Sequence, residues 1–173
     1  MRSLCCTATS LLFLTWAVTA LAAHDPARTG ETPAAWLATT CSALSALQHG
    51  VAERWSGPAP ADRSSLVAAL ARDAADADGV LLATSRALPG VPHGAAIASS
   101  LHARAAVLQR YIATTRAAAR TQGVAATTVA ARTGLQARSK QLGAAFVHLE
   151  RSYPSTELAS AINQAPSCAL VHG

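Results

Sequence analysis

Two cysteines, Cys41 and Cys168, stand near opposite ends of the part of this chain that reads as folded. A bond between them would fasten the first helix to the tail and enclose everything between. Cys41 belongs to TPAAWLATTCSALSALQHGVAERW (residues 32–55), which reads as an amphipathic helix. Thr32 suits its N-cap and Pro33 its first turn, where a missing backbone N–H costs nothing. Leu37, Cys41, Leu44, Val51 and Trp55 recur at helical intervals and share one face. Gly57, Pro58 and Pro60 then stop the helix. Cys41 thus lies in an apolar stripe, either as a small buried hydrophobe or as half of a disulfide.

The N-terminus favours the disulfide. Residues 1–22 have the parts of a secretory signal peptide: Arg2 for the positive segment, the apolar run Leu11–Leu21, and the small-x-small pattern Ala20-Leu21-Ala22. The run is too short for a comfortable membrane span. Cys5 and Cys6 precede it, so they leave with the signal and neither is placed to carry a lipid anchor. Cleavage near Ala22 gives a secreted, extracytoplasmic chain, and an oxidising compartment favours joining Cys41 to Cys168. Two cysteines allow one intramolecular pairing. For a loop of this size the chain-entropy model assigns about 4–5 kcal/mol of stabilisation. Residues 23–31 then read as a flexible leader and residues 32–173 as a single helical domain.

Within that domain the breaks are short. Asp62 or Ser64 caps a second helix reaching about Leu88, with Leu66, Leu70, Ala77, Leu81 and Leu88 inward and Asp73, Asp76 and Asp78 mostly outward. Gly79 is a weak point in it. Pro89-Gly90-Val91-Pro92 is a break. A third helix runs from about Gly94 to Thr121 on the stripe Ile97, Leu101, Ala105, Leu108, Ile112 and Thr115. Gly123 reads as a turn, or as a kink in one long bent helix. A fourth helix runs from about Ala125 to Ser152, with Thr128, Leu135, Leu142, Phe146 and Leu149 on one face. Pro154 ends it, and Ser155 caps a short fifth helix through Asn163 that buries Leu158 and Ile162. No segment alternates with period two over a useful length. The expected fold is all-α: an up-down four-helix bundle with a short fifth C-terminal helix, closed by one disulfide.

Charge is unevenly spread. Residues 24–100 carry five arginines against seven acids, a net −2, whereas residues 101–173 carry eight basic residues against Glu150 and Glu157, a net +6. Such a half suits an anionic surface, although solvated helix faces give the same count. There is no Arg/Lys run and no aromatic interleaving, so nucleic acid is not an expected partner.

Catalytic and metal signatures are missing. The histidines His24, His49, His93, His102, His148 and His172 form no H-x-x-x-H or E-x-x-H pair. His49, His102 and His148 fall about 100° or more from the centre of their helix's apolar stripe, which reads as solvated. No G-x-S-x-G or S-x-x-K element stands in a suitable setting, and no glycine-rich phosphate loop or calcium loop is present. The cluster Asp73, Asp76 and Asp78 reads as a solvated face. Neither an enzyme nor a bound metal or cofactor is expected.

Several segments resemble a known group. They are Trp36-Leu37-x-x-x-Cys41-x-x-Leu44, Ala87-Leu88-Pro89-Gly90-Val91-Pro92-His93-Gly94, Gly143-Ala144-Ala145-Phe146, Ser155-Thr156-Glu157-Leu158-Ala159-Ser160-Ala161 and Pro166-Ser167-Cys168. In this order they resemble small exported helical proteins of actinobacteria, which pair a first-helix cysteine with a closing P-x-C. Many of those are lipoproteins, a feature lacking here. The resemblance implies fold, disulfide and export, and no reaction. The expected function is binding or structural association at the cell envelope or extracellularly, through an anionic envelope surface or a protein partner. The alternative is an exported carrier of a small apolar ligand such as haem or lipid, with Tyr111, Tyr153 or a histidine as the iron ligand.

Overall fold

Side-chain caps fix where the helices begin. The Thr32 hydroxyl accepts the backbone N–H of Ala35 at 3.1 Å, the Asp62 carboxylate that of Ser65 at 2.7 Å, and the Ser155 hydroxyl that of Leu158 at 3.0 Å. Each satisfies one of the donors orphaned in a first turn. The computed structural model describes residues 30–173. Over that range the helices are α1 (Pro33–Ser56), α2 (Arg63–Ala83), α3 (Gly94–Thr121), α4 (Val124–Val147), the single turn α5 (Leu149–Ser152) and α6 (Thr156–Asn163), followed by a 3-10 turn at Pro166–Leu170. No strand occurs among the described residues. The expected signal segment, and all of the leader except Gly30 and Glu31, lie outside them. Glu31 pairs with Arg86 at 3.2 Å.

Each long helix packs on the next, and α4 returns to α1, which closes an up-down four-helix bundle. The two residues Gln122 and Gly123 separate α3 from α4, so Gly123 is a turn and not a kink. The stripes expected for α3 and α4 are buried throughout. α1 is more deeply enclosed than one stripe foretells. Trp36, Thr40, Leu47 and Gly50 join Leu37, Cys41, Leu44, Val51 and Trp55 inside, because α2, α4, α6 and the 3-10 turn all pack on this helix. The indole N–H of Trp36 donates to the Arg86 carbonyl at 3.1 Å.

Two boundaries differ from expectation. α2 ends at Ala83, short of Leu88, where the Thr84 hydroxyl donates back to the Val80 carbonyl at 2.8 Å. Leu88 is buried, but from the following loop, where its N–H donates to the Gly94 carbonyl. The loop turns through left-handed backbone at Gly90 and His93, both with φ of 61°. α4 stops at Val147, and His148 separates it from α5.

The tail docks along α1. Cys41 and Cys168 form the disulfide, with Cα atoms 4.8 Å apart. The Ser167 hydroxyl donates to the Ala38 carbonyl at 3.0 Å. Further along, the Gln48 amide clamps the backbone of His172, donating to its carbonyl at 2.6 Å and accepting its N–H at 3.0 Å. Gly143 lets this happen: a Cβ there would collide with the His172 carbonyl and the Gln48 amide.

Gly79, by contrast, has nothing within 4 Å of a would-be Cβ and sits on the exposed side of α2. Its only effect is the backbone freedom it lends the unfolded chain. Gly79→Ala is therefore expected to stabilise the fold by about 0.5–1 kcal/mol in a urea titration.

Candidate functional site

The acidic cluster of α2 is only in part a solvated face: Asp78 is exposed and Asp76 half-buried, but Asp73 turns inward. Asp73 is fully buried, in register with Leu66, Leu70 and Ala77, and meets the end of α1. Its carboxylate accepts Arg54 Nε at 2.7 Å and Trp55 Nε1 at 2.9 Å. Arg54 also pairs with the half-buried Asp76. Asp78 is exposed and accepts from Gln109 of α3 at 2.7 Å. Burial pushes the Asp73 carboxyl above its ordinary value, against the opposing pull of Arg54 and of the Trp55 indole. Asp73 and Asp76 thus meet their partners across α1 and α2, and Asp78 meets its partner across α2 and α3. The cluster is a structural tie.

The histidines stay dispersed. His49 is exposed and pairs with Glu53 at 3.2 Å, an i,i+4 contact on the outer side of α1. His102 shares a 3.2 Å hydrogen bond with the Thr84 hydroxyl. His93, His148 and His172 are exposed. No group of three or more His, Cys, Asp or Glu is arranged for a metal ion among the described residues. The tyrosines differ in kind. Tyr111 lies between α3 and α4, donating its hydroxyl to the Ala130 carbonyl at 2.7 Å, with Arg138 stacked 3.8 Å from its ring centre. Tyr153, after α5, rests 6.1 Å from the ring of His93, centre to centre. Its hydroxyl makes no hydrogen bond among the described residues.

Two concavities matter. The larger, about 670 Å³, runs between α1, α4 and the tail. Part of its polar wall is already engaged: Gln48 holds His172, the Ser139 hydroxyl donates to the Gln136 carbonyl, and His49 pairs with Glu53. It is the seam left where the tail crosses the bundle. The second, about 510 Å³, lies between the first half of α3 and the end of α4 with α5. Ser100, Arg104, Gln141, His148, Ser152 and Tyr153 face it over a floor that includes Ala144 and Leu149.

This second concavity belongs to the positively charged half of the bundle. α3 and α4 carry Arg104, Arg110, Arg116, Arg120, Arg132, Arg138 and Lys140, and not one Asp or Glu. The ion pairs among the described residues all involve His49, Arg54 or Arg86, so none of these seven cations is neutralised by a carboxylate. Arg132 donates to the Gly57 carbonyl and Arg138 covers Tyr111. Arg104, Arg110, Arg120 and Lys140 are exposed. The basic excess of the second half was legible in the sequence. Its concentration on two adjacent helices follows from the α3–α4 hairpin turning at Gly123. No helix among the described residues is long and apolar enough to cross a membrane. No family model matches the chain, and neither a curated protein nor a solved structure shows detectable similarity to it.

Proposed function

We propose that this chain is an exported helical-bundle protein that acts by association, docking its α3–α4 half on an anionic surface of the cell envelope. The observation that carries this reading is the pair of adjacent helices with seven cations and no acid. A field of one sign across neighbouring helices draws an oppositely charged surface over several ångströms and is screened by salt. The signal-like N-terminus and the resemblance to small exported actinobacterial proteins are the grounds for placing the protein outside the cytoplasm. For the carrier alternative, the Tyr111 hydroxyl is spent on Ala130, which leaves Tyr153 or a histidine to approach a ligand.

Sedimentation with phosphatidylcholine vesicles containing phosphatidylglycerol tests the reading. The protein is expected to pellet at low ionic strength and to be released by salt. Neutralising an exposed cation, as in Arg120→Gln, should weaken binding about fivefold at low salt. Protein that stays in the supernatant at low ionic strength would refute surface docking.

A further inference from the structure

We infer that the concavity between α3, α4 and α5 is a built site for a phosphate ester, with Arg104 as its anchoring cation. Six polar side chains line it: Ser100 and Arg104 from α3, Gln141 from α4, His148, and Ser152 and Tyr153 from the turn that follows. None of these side chains makes a hydrogen bond or ion pair within the described residues, whereas Gln48, Ser139 and His49 of the larger groove each have a partner. Uncommitted donors gathered in one recess favour a ligand with many acceptor oxygens. A guanidinium fork with surrounding hydroxyl, amide and imidazole donors matches a tetrahedral oxyanion, whose oxygens point in several directions, better than the two coplanar oxygens of a carboxylate. No carboxylate lines the recess to repel it. A volume of about 510 Å³ exceeds what a bare phosphate fills, and the floor of Ala144, Ala145 and Leu149 is apolar. The remaining space suits the organic body of an ester. Tyr153, at the edge of the recess, has the tilted ring of His93 6.1 Å away, centre to centre.

This inference rests on the surface reading for the source of its ligand, a phospholipid headgroup. A soluble phosphate ester offers the same chemistry. The test uses two probes on the full protein, inorganic phosphate followed by amide and side-chain NMR shifts, and phosphatidylcholine vesicles with and without phosphatidylglycerol. Two exposed arginines of α3 are compared: Arg104→Gln inside the recess and Arg120→Gln outside it. Thermal melts of both variants are expected to match the parent, because neither arginine is paired among the described residues. Phosphate shifts should cluster on Arg104, Gln141, His148 and Tyr153, and Arg104→Gln should weaken phosphate binding about tenfold or more, with Arg120→Gln nearly neutral. Tyr153→Phe, which deletes one donor and keeps the ring, should weaken it by a smaller factor. If the protein also binds the anionic vesicles and Arg104→Gln releases it more than Arg120→Gln does, the source is a headgroup. Phosphate uptake in the recess without vesicle binding would keep the site, assign it to a soluble ester and overturn the surface reading. Shifts spread evenly over the α3–α4 cations, with the two glutamine variants equivalent, would overturn the site and leave a diffuse field alone.

Discussion

Replacing Asp73 by alanine is expected to lower the stability of the fold by about 3–5 kcal/mol, read as a large drop in the guanidinium midpoint. The loss comes from what is left behind more than from the bond removed. Arg54 Nε and the Trp55 indole N–H both donate to this carboxylate, and Trp55 is itself fully buried. Without Asp73, a partly buried guanidinium keeps only Asp76 and an indole donor in the core has no acceptor. Asp76→Ala, at a half-exposed position, should cost about 1 kcal/mol or less. A small effect of Asp73→Ala would mean that water enters and solvates Arg54. The pH dependence has a definite sign. Burial raises the folded-state pKa of Asp73 above its unfolded value of about 3.9. The folded protein therefore binds this proton more tightly, and the stability that Asp73 contributes rises as the pH falls through the window between the two values. The stability gap between the parent and Asp73→Asn should widen between neutral pH and about pH 4. A gap that narrows on acidification would show the Arg54 charge outweighing burial.

Reduction of Cys41–Cys168 is the second large expected effect. The bond joins residues separated by 127 positions, and the chain-entropy model gives a closure of that length about 5 kcal/mol. That is of the order of the whole net stability of a small domain. Comparing the guanidinium midpoints of oxidised and reduced protein measures it, and hydrogen exchange should show the backbone of Pro166–His172 losing protection first. The Gln48 clamp and the Ser167 hydrogen bond survive reduction as contacts but no longer as constraints on the unfolded chain. Equal midpoints for the two forms would show that the unfolded chain already holds α1 near the tail.

What the sequence disclosed depended on how local the cause was. Caps act within three residues, so Thr32 and Ser155 announced their helices, and Asp62 did so beside Ser64 as the other candidate. Apolar periodicity gave the inner faces of α3 and α4 for the same reason. Asp73 was misread because polarity was weighed above position. It lies three residues after Leu70 and four before Ala77, on the very stripe that those residues define, and its partners arrive from another helix. Nothing local to α2 announces Arg54. The end of α2 was missed likewise, since Leu88 has the spacing of one more helical turn, yet it is buried from a loop. Gly143 entered only as part of the segment Gly143-Ala144-Ala145-Phe146; what requires it is the carbonyl of His172, far along the chain. The phosphate recess draws on α3, α4 and α5 together, and no single stretch of sequence shows that Arg104, His148 and Tyr153 share a space.

The enclosure of α1 bears on the order in which the chain can finish folding. Its first neighbour, α2, follows at once, but α4 comes some ninety residues later and the partners of Ala38, Cys41 and Gln48 in the tail more than a hundred and twenty. During synthesis, α1 therefore waits with one flank bare while the α2–α3–α4 meander assembles beside it. Such long-range closure raises the contact order of an otherwise fast-folding helical topology. The slow step should be the late docking of residues 166–172. Until then the exposed flank, with Leu37 and Cys41 at its centre, is the part of the molecule most open to wrong partners, including the wrong thiol.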